Sequence, residues 1–207
     1  MDIIFTIGHS NHEIADFVAL LKKHKVNMIL DVRSTPYSKR YPQYNQEELR
    51  LVLESQQLYY QSFGLWFGAR QPDPEHYTSE GWLHYSSFTK SGTFAQGVRN
   101  LDLFLSQGHV PVLLCCEKDP FDCHRAIMVA RALSLEGYDL RHILADGKIL
   151  TQAELDEKML DKYFPKRNEG NIFDLIDGAV SEEEMLHDAY LKRNEAIAWR
   201  RDDLEQP

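Results

Sequence analysis

The chain has 207 residues, 43% of them apolar and 27% charged, a composition that excludes the disordered and collagen-like classes. Its net charge of −9 argues against a broad DNA-coating surface but leaves room for an anion in a local pocket. No apolar run nears the roughly 20 residues of a membrane span, and Met1-Asp2-Ile3-Ile4 lacks the basic start of a signal peptide; a cytoplasmic protein with no membrane partner is expected.

Ile3 to Ile7 reads as the first buried strand, short and β-branched. Ser10 and Glu13 have the spacing of a capping box, which predicts a helix to about His24 with Ile14, Phe17, Val18 and Leu21 on one face. Asn27 to Val32 reads as a second strand, and Asn45 with Glu48 as a second capping box before Leu49, Val52 and Leu53. Residues 37 to 88 hold 12 of the 23 aromatics, interleaved with Lys39, Arg40 and Arg70. They read either as a stacking platform or as a second small core under a long excursion. Thr93 to Ser106 is helical by periodicity, Val110 to Cys115 a third strand, Cys123 to Glu136 a helix stopped by Gly137, and Leu140 to Leu144 a fourth strand. Strand-helix alternation predicts an α/β fold, a single domain with a mainly parallel sheet covered by helices, plus a helical C-terminal extension.

The boundary falls near residue 164. Through Leu150 the chain has 15 basic and 17 acidic residues; beyond it 8 stand against 15. Residues 165–207 therefore read as an acidic extension. Two strong helix caps, Thr151 with Glu154 and Ser181 with Glu184, flank a polar break from Pro165 to Asn171. The last helix carries Met185, Ala189, Tyr190, Ile197 and Trp199 as an apolar stripe, which packs on the domain or makes a homo-oligomer.

Parallel sheets bind ligands outside the carboxyl ends of their strands, so the segments that follow the strands are the candidate site. His9 is a candidate general acid or base, or a neutral donor, in a Gly8-His9-Ser10 turn. Asp31 is a candidate ionised orienter or base beside Arg33, with a loop-capping carboxylate as the plain alternative. In the segment 115–125, Asp122 looks like an N-cap. That would put Cys123, His124 and Arg125 in a first helical turn, where Arg125 holds a phosphate or carboxylate and Cys123 becomes a nucleophile. Glu117 is a further proton carrier. Arg33 joins Arg125 as a clamp on the anion, and Ser10, Ser34, Ser38, Tyr37, Arg70 and His124 complete the candidate substrate contacts.

No cofactor is expected. Zinc on Cys115 or Cys116 with Cys123, His124 and His9 is the alternative, disfavoured because adjacent Cys and His rarely coordinate one ion with both side chains, no Cys-x2-Cys pair exists, and Arg33 and Arg125 repel a cation. A phosphatase-type loop is excluded by spacing, since Cys116 and Arg125 are nine apart.

Thr6-Ile7-Gly8-His9-Ser10-Asn11, Asp31-Val32-Arg33-Ser34 with Pro36 and Ser38, Gly68-Ala69-Arg70, Cys115-x-Glu117 with Cys123-His124-Arg125, and His142-Ile143 resemble the domain of unknown function 488 family. The resemblance continues through Ile172-Phe173, Ala189-Tyr190 and Ile197-Ala198. It implies a cytosolic α/β protein of bacterial or archaeal type and carries no reaction with it. It also implies that Cys115 is the family's cysteine, with Cys116 incidental and Ala69 standing where a glycine is usual. The expected function is an enzyme that hydrolyses or transfers a group on a phosphate-bearing substrate, a nucleotide or nucleic acid. The alternatives are a noncatalytic nucleotide- or partner-binding module, and thiol or zinc-dependent chemistry at the cysteines.

Overall fold

The computed structural model describes residues 2–167 and 180–201. Six strands form one sheet in the order β3-β2-β4-β1-β5-β6: β1 (Ile3–Gly8), β2 (Met28–Asp31), β3 (Tyr59–Ser62), β4 (Pro111–Cys115), β5 (Asp139–Ile143) and β6 (Ile149–Thr151). All neighbours run parallel except β5 and β6. The central strands are apolar at nearly every position because both faces are covered. Ile4, Leu30 and Leu113 face one layer, with α5 (Gly92–Ser106) and the helix over 125–135. Phe5, Ile29 and Val112 face the other, with α1 (Ile14–Lys23) and α2 (Gln46–Ser55). The two edge strands β3 and β6 escape sequence reading: β3 alternates exposed with half-buried residues, and β6 is three residues long.

Several caps differ from expectation. Ser10 has a φ of 47° and its hydroxyl donates to Asn11; Glu13, the N-cap of α1, makes no side-chain cap bond. The reason is that the pairing of β1 with β4 runs on past the strand, with His9 N–H donating to the Cys115 carbonyl and Ser10 N–H to that of Cys116. Asn45 caps no helical N–H either; its Oδ1 accepts from Ser38 N–H at 2.7 Å and so ties down the 38–45 loop. The two later boxes, at Thr151 before α7 (Gln152–Tyr163) and Ser181 before α8 (Glu182–Ile197), both form.

Asp122 is not the N-cap expected of it. Asp119 caps a one-turn 3-10 helix (Pro120–Asp122), while Asp122 pairs with Arg193 of α8. Cys123 is extended, with φ −133° and ψ 134°; the helix begins with a π-wound turn, Arg125–Ala130, and continues as α6 (Arg131–Leu135).

The aromatic excursion is mostly core: Tyr44, Phe63, Phe67, Trp82, Tyr85 and Phe88 are buried, with the short helices α3 (Gly64–Phe67) and α4 (Tyr85–Phe88) among them. Of the expected α8 stripe, Ala189, Tyr190 and Ile197 pack on the domain, joined by Leu186 in place of Met185, and Asn194 bonds the backbone of Leu83 and Tyr85. Ile172-Phe173 and residues 168–171 of the polar break lie outside the described residues. Among the described residues, no helix is long and apolar enough to cross a membrane.

Candidate functional site

The chain leaves β1 toward β2 through α1 on one face, and leaves β4 toward β5 through the 125–135 helix on the other. Adjacent strands whose connections depart in opposite directions make a topological switch point, where a crevice opens at the carboxyl ends. Here the crevice is a cleft of about 300 Å³ lined by Arg33, Ser34, Thr35, Arg70, Cys115, Cys116, Glu117, His124 and, from the C-terminal segment, Ile197 and Trp199.

One wall is a buried ion pair. Asp31 accepts from Arg33 Nε at 2.8 Å, Nη2 at 2.6 Å and backbone N–H at 3.1 Å, and from the Tyr60 hydroxyl at 2.8 Å. With four donors upon it, the carboxylate orients Arg33 and has no lone pair left for a substrate proton. Burial opposes the Arg33 charge, but the hydrogen bond and charge of Asp31 outweigh it and raise its pKa. Arg33 Nη1 donates to the Tyr44 carbonyl at 2.9 Å and stands 3.5 Å from His9 Nε2. His9 is buried and stacked on Tyr44, ring centroids 4.1 Å apart. Its Nδ1 lies 3.1 Å from the Ser10 carbonyl. A carbonyl only accepts, so Nδ1 carries the proton and Nε2 presents its lone pair toward Arg33 Nη1.

The floor is a thiol cluster. Cys115 and Cys123 both donate to Glu117 Oε2 at 2.9 Å, and His124 Nδ1 lies 3.6 Å from Cys115 Sγ. His124 Nε2–H donates to the Val32 carbonyl at 3.1 Å. Burial pushes the Cys115 thiol up. In Cys123 burial acts the same way, but Cys115, the Arg125 charge and His124 together draw it below the ordinary thiol value. Burial also lifts Glu117, helped by the charge on Cys123. Burial works against the charged form of His124, but the hydrogen bond and charge of Cys123, the charge of Glu117 and the Val32 carbonyl together outweigh it and raise its pKa.

Arg125, expected to clamp an anion, has another occupation. It is fully buried and donates to the Glu117 carbonyl at 2.7 Å, the Lys118 carbonyl at 3.4 Å and the Thr6 hydroxyl at 3.4 Å. Because Cys123 is extended and outside the helix, the first turn presents no open cradle with Arg125 beside it. The exposed cation of the cleft is Arg70. Its backbone N–H donates to Ser34 Oγ at 2.9 Å, and its guanidinium lies 5.1 Å from the centroid of Trp199. Among the described residues Arg70 has no ion-pair partner.

Of the other expected contacts, Ser34 lines the cleft, Ser38 Oγ accepts from Tyr41 N–H in its own loop, and Ser10 is spent on the turn. Tyr37 is 62% exposed and does not line the cleft. Cys116, set aside from sequence, is exposed in the cleft. Its thiol is drawn down to about 5, first by the neighbouring Cys115 and then by His9. Only its place next to Cys115 pointed to it. Trp199 stood in the α8 stripe, with nothing in the sequence to pair it with Arg70.

A family model described as a domain of unknown function, DUF488, matches residues 13–132, more than half of the chain. The chain belongs to the DUF488 family. The DUF488 match takes in Asp31, Arg33, Arg70 and the whole 115–125 segment, and leaves His9, His142 and α8 outside. No curated protein matches the chain, and no solved structure does.

Proposed function

We propose that this DUF488 chain is an enzyme that hydrolyses, or transfers a group on, a small phosphate-bearing substrate of nucleotide type held in the switch-point cleft. The observation that carries this reading is Arg70, an exposed guanidinium without an anionic partner among the described residues, which lines the same cleft as Cys116 and Glu117. A planar guanidinium holds a phosphate through two parallel hydrogen bonds, and the Ser34 and Thr35 hydroxyls beside it suit the remaining oxygens. The indole of Trp199 adds an apolar wall for a ring. Glu117 and Cys116, which line the same cleft, are the proton-handling groups, with the buried His9 acting on Cys116 from behind.

The cleft's size fits one nucleotide rather than a polymer, since small-ligand pockets run from roughly 300 Å³ upward. The net charge of −9 points the same way. The test is turnover of a panel of nucleoside phosphates and sugar phosphates, read as released product. A substrate should emerge, and Arg70→Ala should lower its kcat/KM about 10- to 100-fold, as the loss of a charged hydrogen-bond pair implies. Saturable binding of a panel member without turnover would establish a sensing module instead. Neither binding nor turnover would overturn the proposal.

A further inference from the structure

We infer that Cys115, Cys123 and His124, with Glu117 as the fourth ligand, bind one zinc-type divalent cation at the floor of the cleft. The ligand atoms of the four residues lie within 4.8 Å of one another. In tetrahedral coordination with bonds of about 2.0 to 2.3 Å, donors are separated by about 3.3 to 3.8 Å; the Cys115 Sγ to His124 Nδ1 distance of 3.6 Å falls in that range, and the two thiol contacts to Glu117 Oε2, 2.9 Å each as hydrogen bonds, lengthen toward it when the ion takes the place of the thiol protons. Both sulfurs converge on a single oxygen of Glu117, so thiols, carboxylate and imidazole already aim at a common point.

The imidazole is set for the task. The Val32 carbonyl accepts from His124 Nε2–H, which fixes the proton there and turns the Nδ1 lone pair toward the sulfurs. A backbone carbonyl on the far nitrogen is the usual support of a metal-bound histidine. Adjacent Cys and His rarely place both side chains on one ion. Here the chain switches from extended at Cys123 to helical at His124, with φ −57° and ψ −29°, and that break lets both side chains face the same way.

Charge supplies the independent argument. Arg125 is fully buried, and its donors go to two carbonyls and a hydroxyl, with no carboxylate partner among the described residues. An unpaired buried guanidinium is costly. Two thiolates and a carboxylate on a divalent cation carry a net charge of −1, which balances Arg125. Arg33, the other expected source of repulsion, is neutralised by Asp31. Two thiolates select a borderline-soft ion over magnesium or calcium. Glu117 is the one exposed member of the set, and so is the ligand able to yield its place to water or substrate.

The assignment does not depend on the substrate reading, and its test needs no activity. Full-length protein expressed with added zinc should contain about one zinc per chain by elemental analysis. Stripped with chelator and titrated with cobalt(II), it should develop tetrahedral d–d bands and thiolate-to-cobalt charge transfer. Cys123→Ser should abolish the charge-transfer intensity or halve it. Cys123 is buried in the core, so Glu117→Gln, at an exposed position, serves as the second variant: cobalt affinity should drop about tenfold or more. Cys116→Ser should leave stoichiometry and bands unchanged. Folded wild-type protein without stoichiometric zinc and without cobalt bands overturns the inference, as does a Cys116→Ser variant that loses the bands.

Discussion

His142 offers a test of how the core is held together. It is fully buried, and its two ring nitrogens have fixed roles. Gln152 Nε2 donates to Asp156 Oδ1 and the Tyr190 hydroxyl, so Gln152 Oε1, 3.2 Å from His142 Nε2, is an acceptor, and Nε2 carries the proton. His142 Nδ1 then accepts from the Thr6 hydroxyl at 2.9 Å. A second ring proton would have to displace that hydroxyl hydrogen, beside Arg125. Burial, and after it the Arg125 charge, accordingly lowers the pKa from 6.5 to about 3.

The sign follows from linkage: the folded state keeps the ring neutral, whereas the unfolded chain takes up a proton below pH 6.5. The stabilisation is complete above pH 6.5 and is lost as pH falls toward 3. At pH 5 the loss is about 2 kcal/mol, from 1.5 pH units at about 1.36 kcal/mol each. Gln cannot titrate, so in His142→Gln this term is absent, while every other group contributes as in the wild type. Urea unfolding of both proteins at pH 7, 6 and 5 gives the difference directly. The variant should be the less stable at pH 7, and the gap should narrow by about 2 kcal/mol at pH 5. Parallel profiles would refute the argument, showing that the ring charges in place or that the site admits water.

Asp31→Asn should cost about 3 to 5 kcal/mol of unfolding free energy, because it leaves the Arg33 guanidinium buried and unpaired; a loss below about 1 kcal/mol in urea melts would mean that the pair is not what holds this wall. At Gly8 an added Cβ would fall 1.7 Å from the Glu117 carbonyl oxygen and 3.1 Å from Arg125 Nη1. Gly8→Ala should therefore destabilise by about 3 kcal/mol and weaken cobalt binding by displacing Glu117, read by the same melts and titrations; wild-type behaviour in both would show that the loop moves aside freely.

The sheet was legible in the sequence where both of its faces are covered. Four apolar runs, beginning at Ile3, Asn27, Val110 and Leu140, become β1, β2, β4 and β5, because a strand buried on both sides can hardly be written otherwise. Parallel connection places every following loop at one edge, so the segments after β1, β2 and β4 group as one candidate site on sequence alone. Edge strands carry no such constraint, and β3 and β6 went unread.

The roles within the site were decided by tertiary structure alone. Both Arg33 and Arg125 read as anion clamps from sequence, yet Asp31 claims the first and two backbone carbonyls the second. Among the described residues of the cleft, the guanidinium without an ion-pair partner is that of Arg70, delivered from the excursion between β3 and β4 and laid on Trp199 from beyond α8. Ser10 and Asn45 have the spacing of helix caps but serve a turn and a loop, because the β1 to β4 pairing extends past the strand and the 38–45 loop needs an acceptor. Adjacent Cys123 and His124 face the same way only because the chain changes conformation between them. Residue type and spacing determine which groups can reach the rim; competition among buried donors, acceptors and charges determines which remain open to a ligand, and that competition involves partners more than a hundred residues apart.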